Sequence, residues 1–179
     1  MTRGHDRALL DALEALEPEA FSGEVWRVTG RGRDPLRGSA APGRWTPQGA
    51  FEVLYTSLER EGALAEIGYR LSLEPIWPSH AEHDLHRIAA ATRRTPRFAN
   101  VAALVPFGVE YSRYGSFDYA ATQAIASAAH FLEYDALIVP SARSPALHAV
   151  IFLEHMLTDG SLTVLDTEPV DWAAWRSGR

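Results

Sequence analysis

Neither cysteine nor lysine occurs anywhere in the 179 residues. The missing cysteine excludes a disulfide framework, a thiolate metal site and a thiol nucleophile, leaving a cytoplasmic location as the natural expectation. The missing lysine means that all 17 basic side chains are arginine. Every cationic contact therefore falls to a planar fork that can grip phosphate or carboxylate oxygens two at a time. Long apolar runs are also lacking. The first twenty residues, MTRGHDRALLDALEALEPEA, mix charge into their apolar positions and do not read as a signal peptide. Nothing elsewhere approaches the roughly 20 apolar residues of a spanning helix, so no membrane association is expected.

The length suits one domain able to bury a real core, read as a helical N-terminal extension over 1–20 and a main domain over 21–179. A net charge of −6 gives a surface that repels nucleic acid, so no direct nucleic-acid partner is expected. Arginines nevertheless crowd between Arg27 and Arg44, at 27, 31, 33, 37 and 44. Arg31, Arg33 and Arg37 read as a solvated loop, while Arg27 and Arg44 suit an anion the size of a pyrophosphate.

Periodicity supplies the elements. Leu9, Leu10, Leu13 and Leu16 recur at helical spacing before Pro18. Glu24 to Thr29 and Phe51 to Ser57 alternate as strands, separated by an irregular Gly-, Pro- and Arg-rich loop from Gly30 to Pro47. Gly62 to Leu73 is read as a helix with Ala63, Ile67 and Leu71 on its inner face and Glu66 at the border. His83 to Thr92 fits a strand or a short helix, and Val101 to Gly108 an apolar connection. A helix over Tyr119 to Leu132 and strands at Ala136 to Val139, Ala149 to Leu153 and Leu162 to Leu165 complete an α+β domain, with a mixed sheet core and flanking helices.

Two motifs compete and fail. Gly30 and Gly32 begin a dinucleotide-type glycine pattern, but Pro35 takes the third glycine's place and no helix follows. His80, His83 and His86 are spaced by three, which on a polar stretch reads as surface rather than as a metal site, and no metal is expected.

Five contexts remain: Arg27 in VWRVTG, Arg44 in APGRWTPQG, Tyr55 in FEVLYTS, Glu66 in ALAEIGYRL and Ser141 in ALIVPSARSP. Two guanidiniums, a ring, a carboxylate and a hydroxyl suit an anionic, ring-bearing ligand. In this order, with these flanks, they resemble the RES family, the toxin halves of RES–Xre toxin–antitoxin pairs, from about Phe21 to Asp166. The resemblance implies an ADP-ribosyltransferase-like fold and a toxin that consumes NAD+ as substrate by cleaving its nicotinamide–ribose bond, through hydrolysis or phosphorolysis. Transfer of ADP-ribose to a protein, or an inactive module that binds a nucleotide or partner, are its alternatives. It further implies catalytic roles for Arg27, Tyr55 and Glu66, and nucleotide binding by Arg27, Arg44, Tyr55, Ser141 and Arg143. The implied partner is an Xre-type antitoxin that covers the active site and through which oligomers form. Two positions depart from the family pattern: Thr46 stands where an asparagine usually follows GRW, and His148 where an asparagine usually precedes the next strand.

Overall fold

The computed structural model describes residues 4–159 and 161–179. The chain runs through α1 (Arg7–Glu14), β1 (Glu19–Gly30), β2 (Val53–Ser57), α2 (Arg60–Ser72) and β3 (His83–Thr95). Two 3-10 helices follow, Val101–Phe107 and Tyr111–Arg113, and then α3 (Ala120–Phe131), β4 (Ala136–Pro140), β5 (Leu147–Phe152), α4 (Leu153–Asp159), β6 (Ser161–Pro169) and α5 (Trp172–Ser177). The strands form one six-stranded sheet in the order β4-β5-β2-β1-β3-β6.

Register fixes which side chains share a face, because neighbours directly across a ladder point the same way. Trp26 lies opposite Ser57, and Tyr55 opposite Val150. Trp26, Val28, Val53, Tyr55, Ser57, His148 and Val150 therefore share one face. On it Val53, Val150 and Phe152 pack with α1 and α3, and Val28 and Leu85 pack with α2 and α5. The opposite face carries Val25, Leu54, Ile88, Ile138 and Ile151, closed by Met156 of α4 and Leu36 of the loop after β1. Trp26 and Ser57 are the sole register pair between β1 and β2, so these central strands part just where Arg27 emerges.

Particular residues hold the helices. Asp6 caps α1 by accepting from Ala8 N–H at 2.8 Å, and Leu13 is fully buried, with its carbonyl taking the Tyr134 hydroxyl at 2.8 Å. The N-terminal helix is thus built into the main core. Buried Asp135 accepts from the backbone N–H groups of Arg93 and Arg94 at 2.6 and 3.1 Å, tying the end of β3 to β4.

Several expectations change. The sheet is antiparallel in every named ladder rather than mixed, and its only parallel link among the described residues is the isolated bridge Arg97–Ile138. The segment read as strand or short helix is β3, paired along its length with β1. The apolar connection at Val101 is a 3-10 helix, capped by Asn100 and ended by Gly108 at φ 93°. The strand expected to reach Leu153 stops at Phe152, and Leu153 starts α4, which the sequence reading omitted along with α5. In α2 the buried stripe is Gly62, Ala63, Leu64, Ala65 and Gly68, with Ile67 only partly covered.

Two predictions follow from this packing. A Cβ on Gly62 would lie 2.3 Å from Ser57 Oγ and 2.6 Å from Ala146 Cβ, and the latter is too short a side chain to move aside. Gly62→Ala should cost about 1–3 kcal/mol of stability in urea unfolding, as overpacking does; an unchanged midpoint would contradict the contact.

The second concerns pH. His86, 3 % exposed, lies between the Thr29 and Thr167 hydroxyls at 2.8 and 2.9 Å. Burial pushes its pKa down, helped by Arg27 and opposed by Asp84 and Asp34; burial also lowers His83, His130 and His148. A folded-state pKa below the unfolded value of about 6.5 makes the unfolded chain the better proton binder between the two. This stability is complete above the unfolded pKa and is lost as pH falls through the window beneath it. Melting temperature should therefore drop from pH 7 toward pH 5, and less steeply in His86→Gln. An equal slope in the variant would remove His86 from the effect.

Candidate functional site

The site is built on a loop seated against a strand. Gly43 and Thr46 bridge to close the GRW turn, and the Tyr55 hydroxyl accepts from Trp45 N–H at 3.1 Å while sharing a hydrogen bond with Thr46 Oγ1 at 2.6 Å. A Cβ on Gly43 would stand 2.9 Å from that hydroxyl, so glycine is needed for the approach. From α3, Gln123 Nε2 donates to the carbonyls of Gly43 and Thr46 at 2.8 and 3.3 Å, and the Thr122 hydroxyl donates to that of Arg44. Trp45 sinks into the core below. The threonine that departs from the family's asparagine is fully buried and holds Tyr55 through its hydroxyl.

This seat presents Arg44. Its guanidinium donates to the carbonyls of Tyr114 and, at 3.3 Å, Ser116, and lies 4.8 Å from the ring centroids of both Tyr114 and Tyr119. Burial lowers its pKa; nearby Arg143 pushes the same way and Glu66 opposes. An arginine so placed stays charged. Arg143 stacks 3.8 Å over Tyr69 and donates to Gly115 O at 2.9 Å. Ser141, 8 % exposed at the end of β4, accepts from the N–H groups of Arg143 and Ser144 at 3.0 and 3.2 Å, folding the PSAR turn so that Arg143 is held there.

Glu66 stands on α2 with its side chain 32 % exposed and only a loose pair with Arg70 at 3.7 Å. Its charge is felt by Arg44, Tyr114 and His148, which marks the cleft they share. Burial holds the Tyr55 and Tyr114 hydroxyls in their neutral forms by raising their pKa values. His148, opposite Ser57, has its Nε2 sealed from solvent without a partner among the described residues, and burial keeps it neutral against the pull of Glu66.

The structure thus brings Arg44, Arg143 and Glu66 within electrostatic reach of one another, with Tyr55 under the turn that carries Arg44 and Ser141 in the turn that carries Arg143, and leaves Arg27 apart. Arg27 leaves β1 on the face opposite Trp26, and its Nη2 donates to Arg37 O at 3.1 Å. Its Nη1 is buried without a partner among the described residues, and burial lowers its pKa against the opposing charge of Asp34. His83 and His86, an odd number of residues apart on β3, point to opposite faces, and no group of three potential metal ligands occurs among the described residues. The sequence reading missed Tyr69, Tyr114, Tyr119 and Gln123. For Tyr114 and Tyr119 the signal was the aromatic run from Tyr111 to Tyr119 directly before α3, whereas Tyr69 on α2 and Gln123 on α3 carried none.

The family described as RES domain matches residues 24–173. The proteins named NAD(+) phosphorylase MbcT in Mycobacterium tuberculosis and Mycobacterium bovis are each 26% identical over 148 residues, which is 79% of this chain and 80% of theirs. The crystal structure of the M. tuberculosis MbcT–MbcA toxin–antitoxin complex contains a chain of the same fold, with TM-score 0.82 and 22% identity over 96% of this chain and 97% of that one. The family match runs from the strand bearing Arg27, through the seated loop, α2 and the PSAR turn, to the start of α5, and so the chain belongs to the RES family.

Proposed function

We propose that the cleft binds NAD+ and that the protein cleaves its nicotinamide–ribose bond, acting as the toxin of a toxin–antitoxin pair. The observation that carries this reading is Arg44 and Arg143 repelling one another beside the carboxylate of Glu66, with no carboxylate ion-paired to either guanidinium among the described residues. Two cations suit a diphosphate, and the carboxylate of Glu66 suits a sugar that becomes cationic. Membership of the RES family and the activity named for the MbcT relatives support the same substrate.

The bond between ribose C1′ and the pyridinium nitrogen breaks with its electron pair going to nitrogen, so neutral nicotinamide leaves and C1′ gains oxocarbenium character. Glu66 lowers the energy of that cation. An oxygen of water or inorganic phosphate then adds to C1′ and sheds its proton; the relatives' named activity favours phosphate. The Tyr55 hydroxyl is engaged by Trp45 and Thr46, so its contribution to the nicotinamide end is its ring. The Ser141 oxygen already accepts from two N–H groups, which leaves its proton as the donor that anchors the nucleotide. Arg27 stands on the opposite face of the sheet from this cleft, and its unpartnered Nη1 is a donor that a separate anionic group would satisfy. The reading calls for no metal.

Glu66→Gln should lower nicotinamide release from NAD+ about a hundredfold or more with an unchanged melting temperature, the scale of losing one electrostatic group in a transition state. Full turnover in that variant would overturn the assignment, and mass analysis of the sugar product with and without phosphate identifies the acceptor. The proposed partner is an antitoxin that covers the cleft and offers a carboxylate to the arginines of the Gly30–Pro47 loop. It should compete with NAD+, so a purified complex that cleaves NAD+ at the free enzyme's rate would refute occlusion.

A further inference from the structure

A second concavity, of about 500 Å³, lies between α2 and the C-terminal helix α5 and shares Tyr69 and Arg143 with the cleft. Its other principal walls are Trp77, Trp175, Arg176 and Arg179. Each of the three guanidiniums lies against a ring: Arg143 at 3.8 Å over Tyr69, Arg176 at 4.3 Å over Trp77 and Arg179 at 4.1 Å over Trp175. The rings hold these cations flat, so their N–H edges and outer faces are positioned before any ligand arrives. Arg176 and Arg179 have no ion-pair or hydrogen-bond partner among the described residues, and the lining contains a single acidic side chain, Glu74. In a chain of net charge −6 this is a local excess of positive charge.

The helix itself is shaped for this wall. A Cβ on Gly68 would lie 2.3 Å from Trp175 Cη2, so the indole reaches the α2 backbone only because that position has no side chain. The Trp175 Nε1–H donates to Glu61 at 3.3 Å, which fixes the ring's orientation. Flat cations backed by aromatic rings recognise a ligand that is planar in one part and anionic in another: the edges bond phosphate and the faces stack on a heterocycle. The volume lies in the range of small-molecule sites. Tyr69 is one helical turn beyond Glu66 on α2, so a ligand that passes Arg143 enters both spaces.

We propose that this cavity is a subsite for an adenosine phosphate, the AMP half of the dinucleotide whose nicotinamide half reaches Glu66. The purine stacks among the ring-backed guanidiniums, and the phosphates lie at Arg143, where cavity and cleft meet. The identity of the whole ligand rests on the NAD+ reading above; the binding of an adenosine phosphate requires no bond cleavage.

Calorimetric titration of the full chain with AMP tests the subsite. AMP should bind saturably and quench tryptophan fluorescence, because Trp77 and Trp175 form its walls. Affinity should fall about tenfold or more in the double variant Arg176→Glu/Arg179→Glu, and the Arg176→Lys/Arg179→Lys variant, which keeps the charge, should retain part of it. Circular dichroism checks that these surface variants fold. Absence of saturable AMP binding, or equal affinity in the charge-reversed variant, overturns the proposal; so does a site that accepts only acidic peptides. If AMP binds here while NAD+ is left intact by the wild type, the subsite stands and the proposed reaction falls. If NAD+ is consumed but AMP ignores the charge reversal, the subsite alone falls.

Discussion

The Tyr55 hydroxyl is the point on which the cleft hangs. It lies deep enough in the sheet face for burial to keep it neutral, and there it accepts from Trp45 N–H and pairs with buried Thr46. A polar group in that position must be bonded or its burial is penalised, so the strand and the GRW turn stabilise each other. Gly43 permits the close approach, Gln123 and Thr122 clamp the turn from α3, and Arg44 takes its place between Tyr114 and Tyr119. The aromatic residue that the sequence suggested as a ligand contact thus also acts as the fastener of the arginine beside it.

Charge is distributed around this seat in an unusual way for an acidic chain. Five arginines outside the cleft are neutralised locally: Arg31 with Glu82, Arg60 with Glu168, Arg87 with Glu24, Arg97 with Glu19 and Arg113 with Asp118. Such exposed pairs stabilise little, but they remove their guanidiniums from competition for a ligand. Arg44, Arg143, Arg176 and Arg179 are instead held by backbone carbonyls or aromatic rings. A carbonyl or a ring orients a guanidinium without cancelling its charge, so these four remain available to an anion. Glu66 works in the same economy, since its pair with Arg70 is long and leaves its field acting on the cleft.

Residues of one chemical type differ in how far local sequence fixes where they point. Arg44, Tyr55, Glu66, Ser141 and Arg143 each lie in a short motif whose local fold points the side chain: a glycine turn, a strand end, a helix border and a proline turn. Arg27 lies in an equally plain strand motif, yet a one-residue alternation sends it to the other face, and alternation reveals the face only once the ladder partner is known. Tyr69, Tyr114 and Tyr119 are ordinary tyrosines until the arginines that they stack with are brought to them from distant parts of the chain.

The sequence by itself determined the single α+β domain, most of its strands and helices, an arginine-only set of cations and the short motifs that mark the family. Those follow from composition and from periods of two and 3.6, which are local properties of the chain. The tertiary structure alone decided that the sheet is antiparallel throughout, that β3 is a strand along its whole length and that α4 and α5 cover two of its faces. It also decided that Thr46 locks Tyr55 and that three arginine–aromatic stacks meet beside α2. Each of these is a contact between residues far apart in sequence, and no local pattern encodes which partner a strand, a hydroxyl or a guanidinium will find.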